Sequence, residues 1–482
     1  MIKKSTKRIS SKLISSRYSK QAIPIYFCNN IYDIKKNLSA VNYKFLVSLD
    51  FNSLYGETVV LSDTNGKIAA VIFGLKKANK NYPSFFVGSK LSKLPKGKYF
   101  FKNFPKNEDI NELILGFYLS FYSFKDFNNK LKGVKNLENS ILCLPSLTGL
   151  NKMVSFTESE YIVRDLINTP ANILDPEYFE NYVKKFSNFH NTKIKITSGK
   201  DLKKKFPLIH EVGKASSKKP RLLELTHKGS CKSFNITLIG KGVCFDSGGL
   251  NLKSSSGMLN MKKDMSGAAS VLGLAHYLIR SNTNLNLRVL IPCVENSVSG
   301  KSFRPGDILI SRSGMGIEVK NTDAEGRLIL ADTLTYATEK NTDILVTFAS
   351  LTGAARVAMG TDITPFFSTN DHFADLLKKC GDKMLDPVWQ LPFYEDYNKE
   401  LSSDITDLNN APLGGMAGAI TAALFLKKFT KNHNMFLHFD IYGWNSKPRP
   451  AKTYGGLMQG VRSLGLAIEK KIQLYIKNRV QL

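Results

Sequence analysis

The feature that most constrains the fold is an alternation of two kinds of apolar segment between residues 234 and 351. Short runs rich in Val, Ile, Leu and Phe have the length of buried strands, and longer segments with helical spacing of apolar residues alternate with them. In chain order these segments are FNITLIG at 234–240, GAASVLGLAHYLIR at 267–280, NLRVLIPCVEN at 286–296, GRLILADTLTYA at 326–337 and DILVTFASL at 343–351. This order predicts an α/β fold with a mixed, largely parallel sheet flanked by helices, whose functional loops lie at strand ends.

The chain is long enough to form two domains, because 482 residues exceed the usual size of one. Residues 1–150 mix short strand-like runs with one helical stretch and carry no dense polar cluster. Pro170 and Pro176 then mark a turn before a new helix. We therefore predict a smaller N-terminal α/β domain over residues 1–150 and a larger C-terminal α/β domain over residues 151–482.

The composition excludes several classes of protein. Apolar residues make up 43% and charged residues 22% of the chain, as in folded globular proteins. No apolar run approaches the roughly 20 residues needed to cross a bilayer, so no membrane association is expected. The six cysteines are scattered without a CxxC pair, which favours a reducing compartment and argues against a structural zinc site.

The formal net charge of +28 has two interpretations. A strongly basic surface attracts phosphates, so a nucleic-acid partner is one hypothesis. We favour the other, AT-biased coding, because Lys, Asn, Ile, Phe and Tyr are abundant along the whole chain. Residues 1–20 hold seven Lys or Arg, six Ser and no acid. We expect a cytoplasmic protein with a basic tail, and organelle targeting by this segment is the alternative.

Two clusters of charged residues follow the predicted strands. They are Lys241, Asp246 and Lys253 in GKGVCFDSGGLNLK with Asp264 in MKKDMSG, and Asp323, Glu325 and Arg327 in NTDAEGRLILADTL. Taken singly, an Asp after a strand is usually a turn or N-cap residue, and a Lys is usually solvated. Four carboxylates sharing one site would repel one another, and two divalent cations about 3.5–4 Å apart would remove that repulsion. The clusters together therefore indicate a dinuclear metal site.

These segments resemble the signature of the leucyl aminopeptidase family, the M17 cytosol aminopeptidases. RDLINTPAN, CVENSVSG, RPGD and SLTGA match the same family, and the resemblance covers roughly residues 160–482. It implies a metal-dependent aminopeptidase that removes the N-terminal residue, preferably Leu or another apolar residue, from peptides with a free α-amine. Intracellular peptide turnover and a homohexamer are implied as well.

The resemblance also implies a role for each residue of the site. The ligands of two zinc or manganese ions, which magnesium or cobalt could replace, would be Lys241, Asp246, Asp264, Asp323 and Glu325. Lys253 would stabilise the oxyanion, and Arg327 would hold a bicarbonate ion that serves as general base. The pocket for the N-terminal side chain would be lined by Met261, Ser350, Leu351 and Gly353.

Two alternatives come from other classes of function. A two-metal phosphoesterase would also cluster carboxylates, but such sites more often include His ligands, and Lys241 has no evident role there. A DNA-binding member of the same family, with or without peptidase activity, would suit the net charge of +28.

Overall fold

The computed structural model describes residues 14–15, 22–76, 83–128, 140–144, 149–229, 234–412 and 414–480. Apart from the short strand Ile14–Ser15, the basic segment of residues 1–20 lies outside the described residues. Within the described part of the chain, no helix is both long enough and apolar enough to cross a bilayer.

The chain forms two compact units. One contains Lys3–Glu158 together with Lys447–Thr453, and the other contains Ser159–Ser446 together with Tyr454–Leu482. Each unit is built on its own sheet.

The first unit contains a six-stranded sheet. Its strands are β1 (Ile14–Ser15), β2 (Ile23–Cys28), β3 (Thr58–Ser62), β4 (Ile68–Gly74), β5 (Gly97–Asn103) and β6 (Ser140–Cys143). Its helices are the 3-10 helix Ile31–Asn37, α1 (Ala40–Ser48), α2 (Ser84–Leu91) and α3 (Ile110–Leu119). The strand order is β1-β6-β5-β2-β4-β3, and only β3 runs antiparallel to its neighbour.

The second unit has more numerous elements. Its strands are β7 (Lys193–Ser198), β8 (Arg221–His227), β9 (Asn235–Gly240), β10 (Gly242–Asp246), β11 (Asn286–Asn296), β12 (Ile308–Ile310), β13 (Gly316–Glu318), β14 (Ile344–Ala349), β15 (Thr364–Ser368), β16 (Val388–Gln390), β17 (Leu408–Asn409), β18 (Phe436–Asp440), β19 (Trp444–Asn445) and β20 (Gly455–Gly456). Its helices are α4 (Leu150–Asn168), which begins before the unit boundary, α5 (Pro176–Phe189), α6 (Gly199–Lys205), α7 (Pro207–Gly213), α8 (Ser255–Met258), α9 (Ser266–Arg280), α10 (Glu325–Ala337), α11 (Gly353–Met359), α12 (Asp371–Lys383), α13 (Gly418–Lys427) and α14 (Val461–Val480), with 3-10 helices at Met261–Met265 and Glu395–Leu401.

The large sheet of this unit is mixed, with a parallel centre. The order is β16-β15-β18-β14-β9-β11-β8-β7, and β10 also pairs with β11. The strands β18, β14, β9, β11 and β10 are parallel, whereas β15, β8 and β7 are antiparallel to their inner neighbours. This arrangement confirms the predicted α/β fold with a largely parallel sheet.

Burial explains why the apolar segments fold as they do. All six residues of β14 are buried, as expected for a central strand covered by helices on both faces. The helix α9 contacts β9 and β14, and α10 contacts β9 and β11. At the centre, the rings of Phe348 and Phe439 stack with their centroids 4.3 Å apart.

One element differs from the sequence expectation. The segment after β9 was expected to be a loop, but residues Gly242–Asp246 form the strand β10. This strand pairs in parallel with the C-terminal part of β11, beyond the residues of β11 that pair with β9. The long strand β11 therefore supports two short strands in succession.

The parallel strands end at one edge of the sheet. The last residues of these strands are Gly240, Asp246, Asn296, Ala349 and Asp440. The functional loops follow at that edge, as expected for an α/β sheet.

Candidate metal centre

Lys241 lies at the centre of the charged cluster at this edge. Its Nζ is 2.8 Å from Oδ2 of Asp264 and 2.8 Å from Oε1 of Glu325. It also donates a hydrogen bond of 3.0 Å to the carbonyl oxygen of Ser350. The side chain is buried, so its charge is balanced by protein groups rather than by water.

A glycine makes room for this lysine. Gly326 follows Glu325 in the first turn of α10, and a Cβ atom there would lie 2.7 Å from both Cε and Nζ of Lys241. Real side chains do not approach so closely. The glycine of the AEGR segment therefore lets the helix bring Glu325 up to the lysine.

Lys253 joins the other two carboxylates. Its Nζ lies 2.9 Å from Oδ2 of Asp246 and 2.5 Å from Oδ1 of Asp323. Asp246 is fixed through Oδ1, which accepts hydrogen bonds of 2.9 Å from the backbone N–H of Gly248 and from Nδ2 of Asn296.

Asp246, Asp323 and Glu325 each offer an oxygen atom, and these atoms lie within 4.8 Å of one another. Burial, and then the charge of Asp246, raises the pKa of Asp323 to about 6 and that of Glu325 to about 8. Burial also raises the pKa of Asp264. Burial opposes ionisation of Asp246 as well, but Lys253 and Lys241 outweigh it and lower the pKa of that carboxyl. Among protein groups alone, burial and the charge of Asp246 therefore oppose ionisation of Asp264, Asp323 and Glu325, whereas Asp246 itself ionises readily.

This cluster fits divalent cations. Oε2 of Glu325 is completely buried and has neither a hydrogen bond nor an ion pair among the described residues. Carboxylate oxygens suit magnesium and manganese and also bind zinc, and a lysine amine can join them when neutral. Without metal, Asp264 and Glu325 raise the pKa of Lys241 despite its burial. A dication beside the carboxylates would favour their ionised forms and would lower the pKa of Lys241.

Arg327 lies two residues after Glu325, in the first turn of α10, and is also buried. Its guanidinium donates a hydrogen bond of 2.7 Å from Nη1 to the carbonyl oxygen of Asn410. Its Nε is buried without a hydrogen-bond partner in the described part of the chain. Burial lowers the pKa of Arg327 to about 10. An anion beside Nε would supply the missing partner.

A cavity of about 480 Å³ opens over the cluster. Of the site residues predicted from the sequence, Glu325 is buried behind it, and the others line it: Lys241, Asp246, Lys253, Met261, Asp264, Asp323, Arg327, Ser350, Leu351 and Gly353. The structure therefore brings the predicted metal, catalytic and substrate residues to one place.

A larger cleft of about 830 Å³ lies elsewhere in the same unit. Its charged lining is mostly basic and includes Lys200, Lys203, Lys214, Lys219, Lys301 and Arg304. Its one carboxylate, Asp307, already pairs with Arg304 at 3.0 Å. We assign the candidate site to the smaller cavity because only that one contains the carboxylate cluster.

Sequence reasoning missed the residues that hold the loops of the site in place. Asn296 donates hydrogen bonds from Nδ2 to Asp246 and, at 3.0 Å, to the carbonyl oxygen of Thr322. Asp440 accepts hydrogen bonds on Oδ1 from the backbone N–H groups of Leu351 and Thr352, at 3.0 and 3.1 Å. Both are the last residues of strands, and a polar residue closing an apolar run is the signal that could have indicated them.

The cavity lining outside the predicted set includes Lys263, Arg356 and Tyr442. The Nζ of Lys263 lies 4.6 Å from the centroid of the Tyr442 ring, and the guanidinium of Arg356 lies 5.1 Å from it. Burial lowers the pKa of Lys263 to about 8.

An α/β unit with buried acidic and basic groups at the carboxyl ends of its strands has the construction of a metal-dependent hydrolase. The profile of the cytosol aminopeptidase family, catalytic domain, matches residues 161–465. The chain belongs to that family, and its enzyme class is that of the M17 aminopeptidases.

Individual relatives agree with this assignment. The chain is 33% identical to the cytosol aminopeptidase of Encephalitozoon cuniculi over 423 residues, which cover 85% of this chain and 86% of that protein. The crystal structure of the cytosol aminopeptidase from Coxiella burnetii has 35% identity and a TM-score of 0.89, covering 96% of this chain and all of that one. The bottromycin maturation enzyme BotP in complex with Mn has 25% identity and a TM-score of 0.83, covering 94% and 100%.

The close approach of α10 to Lys241 gives a prediction. We expect Gly326→Ala to displace Lys241 or Glu325 and to lower aminopeptidase activity about 100-fold, because small displacements at a reacting centre have effects of that size. The matched control is Gly300→Ala, where the added Cβ meets no atom within 4 Å. Steady-state kinetics of the two variants measure the difference, and equal activities would show that the contact is not essential.

Proposed function

We propose that this enzyme removes the N-terminal residue from peptides with a free α-amine, that Leu and other apolar residues are among its substrates, and that it serves intracellular peptide turnover. The observation that carries the proposal is the group of buried Asp246 and Glu325 and half-buried Asp323, whose oxygens lie within 4.8 Å of one another beside the cavity. Family membership supports the same reaction.

The proposed metal ligands are Lys241, Asp246, Asp264, Asp323 and Glu325. Two zinc or manganese ions, with magnesium or cobalt as substitutes, would polarise the scissile carbonyl and supply a nucleophilic water at neutral pH. The manganese named for BotP supports manganese among these choices. The substrate α-amine would be recognised at the same centre, so an acylated N-terminus should be rejected.

Two further residues act on the reacting groups in this proposal. Lys253 reaches the cavity beside Asp246 and Asp323, and it would stabilise the negative charge that develops on the carbonyl oxygen. Arg327 would hold a bicarbonate ion as general base, and the unpaired Nε of its guanidinium supports an anion there. In the described residues no histidine lines the cavity, so a base at neutral pH must come from another group.

The side chain of the N-terminal residue would contact Met261, Ser350, Leu351 and Gly353. Met261 and Leu351 give part of this lining an apolar surface. Each methylene group buried there would stabilise binding by about 0.8 kcal/mol.

We further propose that residues 151–482 form the catalytic domain, that residues 1–150 form a separate N-terminal domain, and that the chain acts in the cytoplasm as a homohexamer. Symmetric homo-oligomers are the common assembly of soluble enzymes. Nucleic-acid binding, the alternative drawn from the net charge, gains no support from the relatives. A phosphoesterase is disfavoured because the family and the relatives described above are peptidases.

The reaction is tested with a metal-stripped sample reloaded with zinc or manganese. We expect hydrolysis of leucyl-p-nitroanilide only after reloading, and no hydrolysis of its N-acetylated form, because the acetyl group removes the free amine. Bis-p-nitrophenyl phosphate serves as the phosphoesterase substrate. Hydrolysis of the phosphate ester and not of the leucyl amide would contradict the proposal.

Lys253 and Arg327 should affect rate more than metal content. We expect Lys253→Ala to lower kcat by roughly 10²–10³, as for one lost oxyanion donor, with both metals retained. Arg327→Ala should abolish any response of the rate to added bicarbonate. Metal analysis beside the kinetics separates the roles, and a loss of metal in Lys253→Ala would show that its role is structural.

The assembly is tested by light scattering across a series of salt concentrations. We expect a hexamer that weakens at low ionic strength, because a charge of +28 per chain is screened over about 30 Å at 0.01 M salt and only about 8 Å at 0.15 M. A monomeric mass at every salt concentration would contradict the proposed hexamer.

A further inference from the structure

Lys263 is a buried cation whose role the reaction described above does not explain. It lies in the 3-10 helix Met261–Met265, and only 5% of its surface is exposed. It lines the cavity that contains the carboxylate cluster. Its ammonium forms neither a hydrogen bond nor an ion pair with any side chain in the described part of the protein, and it lies 4.6 Å from the centroid of the Tyr442 ring.

No carboxylate forms an ion pair with Lys263 among the described residues, and the nearby charge of Asp264 is shared with Lys241. The carboxylates that line the cavity belong to the carboxylate cluster, and Lys241 and Lys253 already form ion pairs with them. Arg356 also lies beside Tyr442, and within the described part of the chain its one side-chain hydrogen bond is the 3.4 Å contact with the Tyr442 hydroxyl. Three cations that line the cavity, Lys263, Arg327 and Arg356, form no ion pair with a carboxylate among the described residues. Arg327 is already proposed to hold the general base, so Lys263 and Arg356 are the two without a role.

Burying an unpaired cation is costly, and the contact with an aromatic ring offsets only part of that cost. A ligand carboxylate would complete the pairing that the protein leaves open, and charge-assisted hydrogen bonds to it would be among the stronger contacts in the site. A neutral amide of the same shape would gain much less.

We propose that Lys263, with Arg356 and Tyr442 beside it, binds the side-chain carboxylate of an N-terminal Glu or Asp residue. This inference rests on the proposed aminopeptidase function and extends its substrates to acidic residues. Lys263 directly precedes Asp264 of the carboxylate cluster in the 3-10 helix Met261–Met265. Met261, which is proposed to contact the side chain of the substrate's N-terminal residue, begins the same helix. The residue bound at the cluster would be the N-terminal one, so its side chain would enter the cavity that Lys263 lines.

The test compares isosteric substrates on the metal-loaded full chain. We expect kcat/KM for glutamyl-p-nitroanilide to exceed that for glutaminyl-p-nitroanilide by about 10-fold or more, since hydrogen bonds between charged groups contribute that much. Aspartyl and asparaginyl substrates should show the same order. Lys263→Met should reduce the Glu-to-Gln ratio to about 1, whereas Lys263→Arg should keep it well above 1.

The matched control is Lys262→Met, which removes the same charge from the same helix. Lys262 lies outside the cavity lining, donates to the carbonyl oxygen of Asn168 at 3.0 Å and faces Trp444. We expect this variant to keep the wild-type Glu-to-Gln ratio. A ratio lowered equally by both substitutions would mean that the effect is one of net charge, and would overturn the role of Lys263.

Binding to the wild-type holoenzyme gives a readout that does not depend on a variant being folded. Calorimetry should show tighter binding of L-glutamate than of L-glutamine, which differ only in the side chain. Hydrolysis of leucyl-p-nitroanilide is measured in parallel. If the enzyme hydrolyses it but uses the Glu and Gln substrates equally well, this inference alone is overturned. If the enzyme hydrolyses none of the substrates, the proposed function is overturned. Leu-Gly carries a C-terminal carboxylate that Leu-Gly-amide lacks. If Lys263→Met changes only the preference between these two substrates, Lys263 binds the C-terminal carboxylate and the inference is wrong.

Discussion

The repulsion among four buried or half-buried carboxylates is the interaction on which the rest of the site depends. Asp246, Asp264, Asp323 and Glu325 are brought together where water is largely excluded, and two lysines cannot neutralise all of them. Burial, and then the charge of Asp246, raises the pKa values of Asp323 and Glu325, so both carboxyls resist ionisation among protein groups alone. A pair of dications would relieve it, and the remaining features of the site follow from holding the acids in place.

The fold holds them by converging several strands on one edge. Asp246 and Asn296 are paired residues at the ends of the neighbouring parallel strands β10 and β11. The helix α10 begins at Glu325, whose carboxylate lies beside that of Asp246. Asn296 then links the loop of Asp246 to that of Thr322, so the two acidic segments cannot separate without breaking buried hydrogen bonds. Asp246 ends β10, Asp264 lies in the 3-10 helix Met261–Met265 and Glu325 begins α10, whereas Lys241 and Asp323 lie in short connections. Rigid elements therefore position three of the five proposed ligands.

Much of the fold could be predicted from sequence because the central strands are long, continuous and apolar. Asn286–Asn296 was predicted with its observed bounds, and β14 differs from its predicted range only at the ends. The strand β10 was missed because its five residues follow β9 after a single residue, and only its pairing with β11 distinguishes it from a loop.

The charged residues of the site could be grouped from sequence because they are dense in two short segments. Asp440 could not be grouped with them, because it lies far from both segments in sequence. The pairing of β14 with β18, which places Asp440 beside Ala349, brings it to the site. Lys263 was missed for a different reason: a lysine beside a functional aspartate is usually solvated, and only the packing shows that it is buried against Tyr442. Sequence patterns indicate which residues are charged, but not which charges are left without a partner.

The most direct measurement is the number of divalent ions bound per chain by the purified protein after dialysis, in the wild type and in Glu325→Gln. The substitution keeps the shape of the side chain and removes the charge that is proposed to bind metal. The dinuclear account predicts two ions per chain in the wild type and fewer in the variant. Fewer than one ion per chain in the wild type, or two retained in Glu325→Gln, would contradict it.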